Sequence, residues 1–208
     1  RWTFENMNPD DYAYIFDVTL FNYECITKNT YISANKCQFI DGGAFDNGRV
    51  ISADSLRLLL TDVDVWAQKS TGKCDDIEYN YTVAARKNYI PKSLRDSPIQ
   101  LYGYKPTLKG SEERYAEYMQ AKQFVNSLYG MCVTNTVKPD VEYTAGDWNC
   151  PDKLTPEEMH DKLIYNKKRG FMNYAVGVWV TSYARRNLWR AIVALDDVVV
   201  YCDTDSIK

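Results

Sequence analysis

A chain of 208 residues, 45% hydrophobic and 25% charged, carries enough apolar material to bury a substantial core in one domain or two small ones. Its formal net charge of -3 is not the surplus of a typical nucleic-acid-binding domain, so any such role must rest on local basic clusters. Six scattered cysteines with no C-x-x-C pair, and a single histidine, argue against a structural zinc site and for reduced thiols in a cytosol. No apolar run approaches the length needed to span a bilayer as a helix.

Residues 13–26, AYIFDVTLFNYECI, are dense in aromatic and β-branched types and predict a strand. A loop follows at DGGAFDNGR, too short and unsupported for a phosphate cradle. RVISADSLRLLLTDVDVWAQ opens as a strand and turns into a short amphipathic helix, with Asp62 and Asp64 at its start as caps. Residues 77–90 again read as extended, and Pro91 begins a helical stretch through Leu101. The strongest helix is expected from Ser111, as cap, to about Tyr129, with Gly130 ending it. Residues 135–172 are polar and proline-bearing, and read as an excursion from the core containing a hairpin, with His160 on its surface. A last helix covers roughly 178–195, and VVVYCDTDSIK predicts a buried strand, a turn and a second strand, with Cys202 packed inside. Strands mixed irregularly with helices point to the α+β class rather than a wound parallel sheet.

Two short segments carry chemistry. In YCDTDS, Asp203 and Asp205 flank one threonine where the chain turns. Two carboxylates this close repel unless a proton or a divalent cation relieves them, and hard oxygen donors suit Mg2+; a plain Asp-rich turn has the same composition. A calcium loop is excluded, because the glycine and distal glutamate of an EF-hand are absent. In KQFVNSLYG, helical spacing sets Lys122, Asn126 and Tyr129 on one face. A point charge, an amide and a ring on one face suit a triphosphate and a stacked base, or simply a solvated amphipathic helix.

Taken together, KQFVNSLYG followed by YCDTDS resembles motifs B and C of the B-family DNA polymerases, K-x-x-x-N-S-x-Y-G on a fingers helix and Y-x-D-T-D-S on a palm hairpin, without a substitution. TSYAR, at 181–185, resembles the T-x-x-[GA]-R motif that meets the primer-template backbone, and Arg185, Arg186 and Arg190 make that helix basic. TLKG resembles the site of a second fingers lysine, Lys109, in the protein-primed bacteriophage branch.

The resemblance implies a polymerase palm sheet, in part, with a helical fingers element and β-rich insertions. It divides the chain into a partial palm with a terminal-protein-region-1-like insertion at 1–105, fingers at 106–134, a terminal-protein-region-2-like insertion at 135–172, and palm with the motif C hairpin at 173–208. The implied reaction adds deoxynucleotides to a primer 3′-hydroxyl by two-metal phosphoryl transfer, with two Mg2+ ions, or Mn2+ in their place. Asp203 and Asp205 are then catalytic and metal-binding. Lys109, Lys122, Asn126 and Tyr129 bind nucleotide, and Thr181, Arg185 and Tyr201 bind DNA. Implied partners are primer-template DNA, deoxynucleoside triphosphates and a terminal protein, in the cytoplasm of a bacterial host, with a phage or prophage as source.

Motif A of the family, D-x-x-S-L-Y-P, has no match here. Asp17 in FDVTLFNYE stands nearest, and is read as a polar residue on the outward face of a strand in preference to a diverged metal ligand. Motif A and an exonuclease domain are accordingly expected upstream of Arg1 and the thumb beyond Lys208, with the isolated chain inactive. The competing reading is a catalytically incomplete nucleic-acid- or protein-binding remnant of such a polymerase.

Overall fold

A computed structural model describes residues 2–135, 137–149, 154–169, 173–203 and 206–208. The chain divides into two compact units, Arg1–Tyr89 with Trp179–Lys208, and Ile90–Val178. About 45% of it is helix and 30% strand, and the main sheet is antiparallel throughout, as the α+β class predicts.

The first unit is built on β1 (Tyr12–Cys25), whose inward side chains Tyr14, Phe16, Val18 and Leu20 are fully buried. Alternation with period two is what a half-buried strand requires. It breaks at Asn22, whose φ of +49° is the left-handed conformation that asparagine tolerates better than most side chains. The next buried residue is consequently Tyr23, three positions after Leu20.

Strands β2 (Cys37–Asp41) and β3 (Ala44–Asp46) pair with one edge of β4 (Arg49–Thr61), and β1 with the other. The β3–β4 turn has Asn47 and Gly48 both at positive φ, +46° and +74°, the backbone of a tight hairpin whose twist suits the strands. On its far side β1 pairs with β5 (Gly72–Lys73) and β6 (Asp76–Arg86). Edge-to-face contacts of Phe4 with Phe16 and Tyr79, at 5.1 and 5.3 Å between ring centroids, close one end of the core.

Helix α1 (Asp62–Thr71) starts where β4 stops, because Thr61 and Asp64 form a capping box: the Asp64 amide donates to Thr61 Oγ1 and the Thr61 amide to Asp64 Oδ2.

In the second unit α2 (Lys92–Leu108) packs against α3 (Tyr115–Val133). Helix α2 runs past the expected end at Leu101, tolerating Pro98 and Pro106, and buries Leu108. Helix α3 begins at Tyr115 with Arg114 rather than Ser111 at its cap, since Gly110 at φ +90° turns the chain first. The Arg114 guanidinium then ties Glu117 and the Tyr104 hydroxyl together at 2.8 and 2.7 Å. Gly130 lies inside α3 and does not end it.

The polar excursion contains the expected hairpin, β7 (Glu142–Thr144) with β8 (Asp147–Asn149), but also an unforeseen helix, α4 (Pro156–Arg169). Thr155 and Glu158 form its capping box, with Pro156 at the first helical position.

Helix α5 (Tyr174–Leu195) buries Trp189 and Ile192 against Ala67 of α1, with Leu188, Val193 and Tyr31 around them. A 3₁₀ turn at Asp196–Val198 leads to β9 (Cys202–Asp203), which pairs with β10 (Ser206–Ile207). The expectation of a buried strand here is corrected: Val198, Val200 and Tyr201 are 66, 89 and 55% exposed, and Cys202 is exposed too. Two-residue strands offer no second face to cover this run. The five described cysteines are free thiols.

Candidate functional site

The predicted nucleotide face lies on α3. Lys122, Asn126 and Tyr129 are all exposed there, four and three residues apart, so the helix presents an ammonium, an amide and a phenol along one line. Lys109 is exposed at the C-terminal end of α2. All four belong to the second unit.

The motif C hairpin belongs to the first unit. Its ladder pairs Ser206 with Asp203 and Ile207 with Cys202, and continues as reciprocal bonds between Tyr201 and Lys208 at 3.1 and 2.8 Å. Tyr201 is exposed beside it. The Asp203 backbone is thus the last residue of β9; its side chain, and Thr204 and Asp205 whole, lie outside the described residues. Among the described residues no three histidine, cysteine, aspartate or glutamate side chains converge as a metal centre.

On α5, Thr181 is half-buried, and Arg185 faces inward rather than standing free. Its Nη2 donates to both oxygens of Asp64 at 3.0 Å and to Ser182 Oγ at 2.9 Å, and its Nε to Asp64 Oδ1 at 3.2 Å. Asp64 also accepts from the hydroxyls of Tyr31 at 2.6 Å, Thr61 at 2.7 Å and Ser182 at 3.3 Å. Burial pushes the Asp64 carboxyl up, but the Arg185 charge and the hydroxyl donors outweigh it and hold the group below its ordinary value. Burial, reinforced by the Asp64 charge, pushes the Tyr31 phenol well above its ordinary range. Beside this pair Asp62 accepts from the Tyr14 amide and from Trp179 Nε1 at 3.1 and 3.0 Å.

Asp62 and Asp64 are therefore more than caps. Each is buried and fastens α5 to the start of α1. Only a distant sequence partner explains them, and the one signal beforehand was two acids directly after an apolar strand. Farther along α5, Arg186 stacks over Tyr183 at 4.7 Å and Arg190 over Trp66 at 5.7 Å, so two of the three arginines predicted to face phosphate rest on aromatic rings.

Asp17 is held by Arg57 of the neighbouring strand through Nε and Nη2 at 2.9 and 2.7 Å. Those bonds, with burial opposing, lower its pKa. A bidentate ion pair on the sheet accounts for this aspartate without any metal.

No protein-family model matches the chain. The DNA polymerase of Bacillus phage Nf is 27% identical over 208 residues, which cover 98% of this chain and 33% of that protein. The DNA polymerase of Bacillus phage phi29 is 30% identical over 152 residues, 72% of this chain and 24% of that protein. The chain thus spans about a third of the length of the relatives it matches along its whole extent. In fold, all of it superposes on 32% of phi29 DNA polymerase complexed with primer-template DNA, with a TM-score of 0.68 at 21% identity. It likewise superposes on 33% of the complex of that enzyme with primer-template DNA and incoming nucleotide substrates, with a TM-score of 0.63 at 19% identity.

Proposed function

We propose, from the premise that this chain is related to the protein-primed, phi29-type branch of the B-family DNA polymerases, that it supplies the fingers and part of the palm of a template-directed DNA polymerase. One observation carries the reading: motif B falls on an exposed helix face and the described part of motif C on the antiparallel pair β9–β10, within a fold shared with a DNA polymerase.

In this reading residues 1–105 combine palm strands with a terminal-protein-contacting insertion, 106–134 are fingers, 135–172 form a second insertion, and 173–208 return to the palm. The first boundary falls inside α2, which ends at Leu108. Lys109 and Lys122 meet the triphosphate as point charges, Asn126 fixes it by hydrogen bonding, and Tyr129 stacks against the nascent pair. Thr181, Arg185 and Tyr201 bind primer-template DNA. Because Arg185 is already neutralised by Asp64, its contribution to DNA is directional hydrogen bonding rather than net attraction.

Asp203 and Asp205 fit a divalent cation by the chemistry of their donors, hard oxygens two positions apart in the sequence. They would hold Mg2+, or Mn2+ in its place, as two ions together with a further carboxylate. When bound, the cations neutralise the triphosphate and make the primer hydroxyl more acidic. The chain's own residues then have to orient the α-phosphate in line with the primer terminus and to hold the triphosphate from the fingers side. The natural partners are primer-template DNA, deoxynucleoside triphosphates and a terminal protein, in a bacterial host cytoplasm.

Primer extension by the full-length protein, with Mg2+ and then Mn2+, tests this reading. Asp203→Asn and Asp205→Asn are expected to abolish incorporation while leaving the circular dichroism spectrum unchanged. Near-normal turnover by either variant removes the metal-site assignment.

A further inference from the structure

The connection that carries α5 into the motif C hairpin is strained and is held from outside by a loop of the sheet. Helix α5 ends at Leu195, and Asp196 follows at φ +32°, a left-handed conformation that a non-glycine residue keeps only where its surroundings impose it. Its own side chain does not impose it, since Asp196 Oδ1 is buried with no hydrogen-bond partner among the described residues. The holding contacts from outside the turn come from the loop after β1. Asn29 Nδ2 donates to the Asp196 carbonyl at 3.1 Å, and Lys28 Nζ to the Asp197 carbonyl at 3.3 Å. The Asp196 carbonyl also accepts from the Val199 amide at 3.3 Å, which closes the 3₁₀ turn, so Asn29 adds a second donor to it; the Asp197 carbonyl lies just past the end of α5, where a cation is favoured.

The loop is itself fixed. Thr27 Oγ1 donates to the Asn29 carbonyl at 2.8 Å, and the Ile26 amide donates to the carbonyl of Thr71 at the end of α1 at 2.9 Å. The far strand of the hairpin is fixed as well, because Ile207 packs against the cluster of Ala67, Trp189 and Ile192. Between these two anchorages lies β9, which ends at Asp203.

We propose that Asn29 is a positioning residue for the motif C hairpin: its side-chain amide fixes the Asp196 carbonyl and thereby the direction in which β9 carries Asp203. This rests on the polymerase reading of Asp203. Asn29 touches no reacting group and acts through the backbone alone. The property used is its N–H donor, which aspartate of the same shape lacks.

The test is steady-state and single-turnover incorporation by the full-length polymerase and its Asn29→Ala and Asn29→Asp variants, with thermal midpoints measured alongside. Both variants are expected to lower kcat by about ten-fold, less than the roughly hundred-fold that a 1 Å misplacement of a reacting group can cost, with nucleotide KM and primer-template affinity within about two-fold of the parent. Unchanged kcat in Asn29→Asp overturns the proposal. So does a loss of kcat that tracks a fall in thermal midpoint and vanishes at a lower assay temperature, which makes Asn29 a matter of stability alone. An inactive parent protein under conditions where it is folded removes the polymerase reading itself, and is distinguished by the wild-type control.

Discussion

Asp64 concentrates more interactions than any other site residue, and its environment dictates how it responds to change. It is 4% exposed and its charge is matched by Arg185, so Asp64→Asn leaves a guanidinium facing a neutral amide. Because Arg185 still reaches water, the expected loss is about 2 kcal/mol at neutral pH, below the range for a fully buried pair. The folded carboxyl has a lowered pKa, so its stabilising contribution is fully present above the ordinary aspartate value and is lost as pH falls through the folded one. Thermal melts between about pH 2 and 7 should therefore show the parent losing stability below about pH 4, and the Asp64→Asn variant a flatter acid limb. Equal slopes would mean that Asp64 is not the group titrating. Gly72 is a second sensitive residue for a steric reason: a β-carbon there would lie 2.3 Å from Cε2 of the buried Tyr23 ring. Gly72→Ala is expected to cost about 2 kcal/mol in chemical denaturation, as overpacking does. Lys122 is exposed, so Lys122→Ala should leave stability unchanged while raising the apparent nucleotide KM of the full-length enzyme by about ten-fold. An unchanged KM would remove the assignment of this helix face to the triphosphate.

Among the elements, α4 and α5 show two ways in which a helix escapes a reading by pattern. Helix α4 is strongly polar, with only a narrow apolar stripe of Met159, Leu163 and Ile164, and lies in a proline-bearing tract, although Thr155, Pro156 and Glu158 spell a capped start. Thr155→Ala is expected to fray its first turn and cost about 1 kcal/mol, visible as faster amide exchange over the first residues of α4. Protection equal to the parent would show that Pro156 alone suffices to start the helix. Helix α5, by contrast, was expected at roughly 178–195, but its docking was not. The side chains that fasten it, Trp179, Ser182 and Arg185, meet partners more than a hundred positions away in the chain.

Across the molecule, protection should grade with burial within the first unit. Amides of β1 and β4, at the centre of the sheet, are expected to exchange slowest, and those of the β9–β10 hairpin among the fastest there, since its strands are two residues long and flanked by exposed Val198 and Val200. Hydrogen exchange read by mass spectrometry checks that order. Much of this architecture was legible beforehand. The aromatic and β-branched density of residues 13–26 betrayed the central strand, and the two motifs pointed to the polymerase relatives because their residue types and spacing are improbable together. The sequence by itself determined the long strands β1, β4 and β6, the helices other than α4, the α+β class and the family resemblance, all of which depend on neighbours a few positions apart, whereas β3 lies within a segment read as a loop. Only the tertiary structure decided that Arg185 pairs with Asp64, that Asp17 pairs with Arg57, and that Asn29 holds the turn at Asp196, because hydrogen bonds between distant residues leave no periodic trace in a chain.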